Sequence, residues 1–435
     1  MERKTLLLIA AALSALIVNL NAQELPFERL PAEPRIDAFP VPAPAPVYEQ
    51  KASPPAKREW LVLIFMNAVN DLGILGYADG SINDLEKAGS TDKVAVLTEL
   101  GMLGTDPASR SLKFQHSSQT LFIQKDSDPK TINSPALYEA GDPDMGSAAH
   151  LVRFVKRGIR RFPAKKVAVI IWDHGSGIGG ISWDNASGRH MEVDQLGGAL
   201  SRIKKELGRK IDVFATDACK MQMAEVAYEL KDSVSVLVGS EEIIPNAGYP
   251  YAAILAKLDA NPGISDEALG KLMVDAFAAR YSATWKKSTL SALRTSALPG
   301  FMDLLNNWVQ AAASDPEVFK TAAAPETVNG TYKFEDMPPS YDLYDYLSRA
   351  AGLKGDGNSA AGRAAAALKK YIADDLIIGR TALADAPKTH GLAIYIPKLK
   401  YGSACYERLA FTAESLWDDF LRLIMEERLK TPSNK

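Results

Sequence analysis

Five short runs of nearly unbroken apolar residues set the terms on which this chain can fold: Trp60 to Met66 (WLVLIFM), Lys93 to Leu100 (KVAVLTEL), Val167 to Asp173 (VAVIIWD), Ile211 to Asp217 (IDVFATD) and Ser233 to Ser240 (SVSVLVGS). A strand that shows polar and apolar residues alternately has one wet face, whereas a continuous apolar run fits a parallel strand covered on both faces. A weaker run follows at Leu121 to Gln124. Helical spacing lies between them. Leu151, Phe154, Val155, Gly158 and Ile159 share one face and stop short of Pro163, and Leu196, Leu200, Ile203 and Leu207 share another, with Asp194 placed as the cap. Strand and helix in alternation predict right-handed crossovers and an α/β fold with a mostly parallel sheet.

The flanking regions read differently. Residues 1–22 carry Arg3 and Lys4, then an apolar run to Leu20, and match a signal peptide, with an uncleaved anchor as the rival reading. Residues 23–58 are rich in proline and alanine and lack any period, as expected of an extended linker or a pro-segment. A large α/β domain is expected over 59–260. A mainly helical C-terminal region is expected over 261–430, with helical faces at Leu269 to Phe277, Phe301 to Val309, Tyr341 to Leu347 and Ala364 to Leu376, and a returning strand near 391–397. A formal charge of −3 gives no reason to expect nucleic acid as a partner. No later segment reaches 18 unbroken apolar residues, so no stable membrane span is expected once the signal is removed, and a secreted or periplasmic location follows.

In an open α/β sheet, ligands bind at the carboxyl ends of the strands. Two of the apolar runs end there in reactive residues: Asp173-His174-Gly175-Ser176-Gly177 and Thr216-Asp217-Ala218-Cys219. A thiol beside an imidazole makes an activated nucleophile. Two readings stand for Cys219, a nucleophile or one half of a disulfide with Cys405, the second cysteine of an exported chain. His174 sits among glycines that let backbone approach a substrate, while His116, His150, His190 and His390 have no such surroundings. One His and one Cys without further ligands in spacing argue against zinc, so no metal is assigned. The oxygens of Asn70, Asp71, Asp79, Asn83, Asp84 and Glu86 could hold calcium, although their spacing is not that of an EF-hand loop; the competing reading is a polar loop leading into a helix, and no cofactor is assigned.

The ordered set Trp172-Asp173-His174-Gly175, Asp217-Ala218-Cys219-Lys220-Met221, Glu225 to Leu230, Gly239-Ser240-Glu241-Glu242 and Gly248-Tyr249-Pro250-Tyr251 resembles the clostripain family of cysteine peptidases. The likeness runs on through Asp342-Leu343-Tyr344-Asp345 to Trp417-Asp418-Asp419-Phe420. It implies a caspase-like α/β/α sandwich, related to gingipains and legumain, and an endopeptidase acting on proteins or peptides with Cys219 as nucleophile and His174 as proton-transfer partner. It further implies an oxyanion hole from the backbone N–H groups of Gly175 and Cys219, Asp217 in a pocket for Arg or Lys, and self-processing after Arg189. Where relatives often carry Gly-Asp-Gly-Trp this chain has Asn246-Ala247-Gly248-Tyr249, without the second pocket acid. No third member of a triad is apparent. The competing function is a binding or adhesion module that keeps the scaffold without the catalysis.

Overall fold

The computed structural model describes residues 57–430 except 105–114, 142, 286, 335–338, 353–358, 382–387 and 398–403. The signal peptide and nearly all of the linker expected before β1 lie outside the described residues. Ala56–Lys435 form one compact unit.

Its centre is a nine-stranded sheet. Parallel strands β1 (Arg58–Ala68), β2 (Val94–Gly104), β5 (Ala164–Trp172), β8 (Ile211–Asp217) and β9 (Val234–Gly239) form the middle. Antiparallel strands β3 (Gln115–Phe122) and β4 (Ala136–Gly141) extend one edge, and β10 (Ser291–Arg294) and β12 (Ile377–Arg380) extend the other. The full order is β12-β10-β9-β8-β5-β1-β2-β3-β4. The sheet therefore does not end with residue 260: the mainly helical region beyond it supplies two strands.

The continuous apolar runs are explained by two-sided burial. Along β1, Leu61, Leu63 and Phe65 enter one core, while Trp60, Val62, Ile64 and Met66 enter the other. Helices Ala148–Arg161, Val193–Leu207, Ala224–Leu230 and Leu298–Ser314 cover the first face, and Tyr77–Glu86, Tyr251–Ala260 and Asp266–Tyr281 cover the second. This is the expected α/β/α sandwich. Each fully buried Leu, Ile or Phe adds about 1.5–3 kcal/mol, so the core helices dock without need of strong intrinsic propensity.

Two expectations are corrected in detail. The helix Val193–Leu207 is capped by Glu192 in a reciprocal box with Gln195, not by Asp194, whose carboxylate lies within the first turn and accepts from Arg408 Nε at 3.0 Å. Tyr341 belongs to strand β11 (Ser340–Asp342), and only then does the helix Leu343–Gly352 begin. The returning strand, β13 (Ala393–Tyr395), pairs with β11 in a separate two-stranded sheet. It still bears on the site, because Ala393 N–H donates to Gln222 C=O at 3.0 Å and Tyr395 N–H to Glu225 at 2.9 Å, bracing the segment that follows Cys219. A hairpin, β6 (Ile181–Asp184) and β7 (Arg189–Met191), completes the strands.

Strand order locates the crevice. From β1 the chain moves to β2 on one side, then returns to β5 on the other, so adjacent strands β1 and β5 send their carboxyl-end loops in opposite directions. Ligand sites form at such a switch point.

Candidate active site

β5 and β8 are neighbours in register, with Trp172 opposite Asp217. Their next residues leave the sheet side by side, tied by Asp173 N–H donating to Asp217 C=O at 3.2 Å. His174, Asp217 and Cys219 consequently line one open cleft together with Leu72, Ile244 and Asn246. Gly175 is required here because a Cβ would collide with the carbonyl oxygen of Cys219. Among the described residues, Ser182 (φ 66°) and Lys220 (φ 62°) are the non-glycine positions with positive φ. One bonds its N–H to the His174 carbonyl and the other directly follows Cys219, so the strained backbone clusters at this cleft.

The Cys219 thiol is not in a disulfide with Cys405, which removes that alternative. Its sulfur accepts the Ile244 N–H at 3.4 Å. Burial pushes the thiol above its ordinary pKa, outweighing that donor and the charge of Lys220. The resting group is a neutral thiol, which needs a base before it can attack.

His174 stands at the cleft mouth, its side chain 42% exposed, with Nε2 2.8 Å from Asp71 Oδ1. Beneath it lies a buried polar cluster that the sequence reading did not connect. Asp173 accepts from Asn67 Nδ2 at 3.0 Å and Asn70 Nδ2 at 2.6 Å, and from the backbone N–H groups of His174 and Trp183. Burial drives its carboxyl well above the usual range, against the opposing pull of the His174 and Trp183 N–H groups and Asn70. Asn70 also caps the short helix Asp71–Ile74. The loop after β1 is thus fastened to the loop after β5. Of the oxygens considered for calcium, Asn70 and Asp71 are engaged here, Glu86 accepts from Ser134 and Asp84 from Ala252.

Asp217 forms the floor, 4% exposed. Its Oδ2 accepts from Tyr249 N–H and Tyr251 O–H, each at 2.8 Å, while Oδ1 has no hydrogen bond. Desolvation raises its pKa to about 7, with those two donors and the Arg280 charge pulling the other way. Gly248, at φ 61°, closes the cradle: a Cβ there would stand 2.5 Å from Oδ2. The tyrosines that hold the carboxylate are a feature sequence reasoning missed, although Gly248-Tyr249-Pro250-Tyr251 was singled out as a motif.

The ladder bonds beside Gly175, Ser182 N–H to His174 C=O and Ser176 N–H to Gly180 C=O, leave the Gly175 N–H outside the pairing. Arg189 does not line the cleft. It begins β7, with its side chain 75% exposed and 3.3 Å from Asp144.

A thiol, an imidazole and a buried carboxylate converging at strand ends are groups of the kind that acyl transfer requires. Clostripain of Hathewaya histolytica is 28% identical over 186 residues, a stretch covering 38% of this chain but only 34% of that protein. The fold is shared with a secreted C11 cysteine protease from Bacteroides thetaiotaomicron solved with an irreversible peptide inhibitor (TM-score 0.62, 17% identity, 83% of this chain and 99% of that one). It is shared equally with an inactive zymogen C11 protease from Parabacteroides distasonis (TM-score 0.60, 20% identity, 83% and 99%). A family model described as the clostripain family matches residues 65–424, most of the sequence and all of the cleft. The chain belongs to the clostripain family.

Proposed function

We propose that the protein is an exported cysteine endopeptidase that cuts after Arg or Lys. The observation that carries this is the convergence of Cys219, His174 and Asp217 on one cleft at the ends of β5 and β8. His174 takes the thiol proton as sulfur attacks the scissile carbonyl, and gives it to the departing amine as the carbon–nitrogen bond breaks. Water then attacks the thioester with the imidazole again as base, which frees the acid product and restores the thiol. The N–H groups of Gly175 and Cys219 meet the oxyanion, a contribution of roughly 3–4 kcal/mol for such a donor. The unpaired Oδ1 of Asp217 supplies an acceptor for a guanidinium or ammonium. The apolar run in residues 1–22 supports export.

Self-processing after Arg189 belongs to the same reading. Its hairpin is closed, since Asp184 accepts from Ala186 and Ser187 and Gly188 N–H returns to the Asp184 carbonyl. A protease draws its substrate into an extended form, so this cut waits on opening of the hairpin.

Hydrolysis of Arg and Lys peptides by the parent, Cys219→Ala and His174→Ala tests the proposal. Both variants should lose more than about a hundredfold, the scale on which a base or nucleophile acts. Either one within tenfold of the parent overturns the dyad.

A further inference from the structure

We infer that Asp71 is a positioning residue that fixes the tautomer and orientation of His174. The inference rests on the dyad proposed above, and adds to it the third group that sequence reading did not find. Asp71 Oδ1 lies 2.8 Å from His174 Nε2. A carboxylate only accepts, so the ring proton of neutral His174 sits on Nε2, and Nδ1 is left with its lone pair to receive the Cys219 proton.

The placement is built rather than incidental. Asn70 precedes Asp71 and is held from both ends: its Nδ2 donates to buried Asp173 and to the Trp183 carbonyl at 3.0 Å, while its Oδ1 accepts from Leu72 N–H at 3.0 Å. Asn67 grips Asp173 and Ser182 as well. Since Asp173 directly precedes His174, one buried carboxylate sets both the imidazole and its partner, across 103 residues of sequence. Asp71 and His174 lie where β1 and β5 diverge, the switch point of the sheet.

Exposure decides which property of Asp71 matters. Its side chain is 61% exposed, so solvent screens the charge, and the acceptor lone pair is what remains specific. An amide oxygen at this position serves the same purpose, because an exposed amide turns freely to present it.

The test compares Asp71→Ala, Asp71→Asn and His174→Ala with the parent in the full chain, on one Arg peptide, with thermal unfolding as a folding control. Nitrogen-15 NMR of labelled histidine, assigned by the signal lost in His174→Ala, reads the tautomer. Expected are a drop of roughly 10- to 100-fold in kcat for Asp71→Ala, the scale of a misplaced catalytic group, with KM within about twofold. Its melting temperature should match the parent's and its Nε2–H tautomer fraction should fall. Asp71→Asn should recover to within about fivefold of the parent, as orientation without charge requires. An Asp71→Ala protein within threefold of the parent, or one with an unchanged tautomer, overturns the assignment while an inactive His174→Ala leaves the dyad standing. Asp71→Asn as poor as Asp71→Ala also overturns it. Activity retained in His174→Ala removes the dyad and this inference together.

Discussion

Asp217→Asn keeps the shape of the pocket floor and changes its chemistry at one atom. The amide oxygen can accept both the Tyr249 N–H and the Tyr251 O–H, which leaves its NH2 where Oδ1 now stands without a partner. Two effects of opposite direction follow. A substrate guanidinium would meet a donor instead of an acceptor, and removing one partner of a buried ion pair costs about 3 kcal/mol or more, roughly 150-fold in kcat/KM for Arg. Stability moves the other way. The folded-state pKa of Asp217 is raised to about 7 from 3.8, so its contribution is fully present below about pH 4 and is lost as pH rises through about 7. A shift of that size is worth up to about 4 kcal/mol at pH 8, and an amide does not ionise. Asp217→Asn should therefore melt several degrees higher than the parent at pH 8, and the difference should narrow by pH 5. The assay is kcat/KM on matched peptides with Arg or Gln before the cut, with melting curves at both pH values. In the parent, the Arg-to-Gln ratio should climb between pH 6 and 8 and then level, since the dyad's own titration cancels in the ratio. Equal losses for Arg and Gln, or a lower melting temperature at pH 8, would refute the role given to this carboxylate.

Two further outcomes are expected. Because burial raises the Cys219 pKa, its thiolate absorbance should develop above the roughly 8.5 of a free cysteine in the substrate-free protein, and a thiolate already formed at pH 7 would contradict the resting neutral thiol. Purified protein should separate at Arg189 into two fragments, while Cys219→Ala and Arg189→Ala remain whole there; cleavage of Cys219→Ala in a clean preparation would point to an outside protease.

Legibility in the sequence followed the range of the interactions. β1, β5, β8 and β9 were readable because burial on both faces writes itself as a local apolar run, and the His174 and Cys219 placements came with their strand ends. β3 hid its role in QHSSQTLF, where Ser118 and Thr120 are buried and both donate to Glu99 on β2. β10 and β12 are four residues each, too short for a periodicity, and their partners lie far off in the chain. Asp71 was visible only as one oxygen in a polar loop. Its meaning depends on Asn67, Asn70 and Asp173 closing across the switch point, which no local pattern encodes. The capping of Val193–Leu207 shows the same limit at short range: Glu192 and Asp194 are both acids near the helix start, and the reciprocal bond from Gln195 decides between them.

The central claim, that Cys219 is the nucleophile in a cleft built for a basic residue, is tested most directly by a peptidyl-arginine chloromethyl ketone followed by peptide mass mapping. One equivalent should bind through the Cys219 sulfur and none on Cys405, with labelling lost in His174→Ala and slow with the matched norleucine reagent. Label on Cys405, or hydrolysis that persists with Cys219 fully modified, would contradict it.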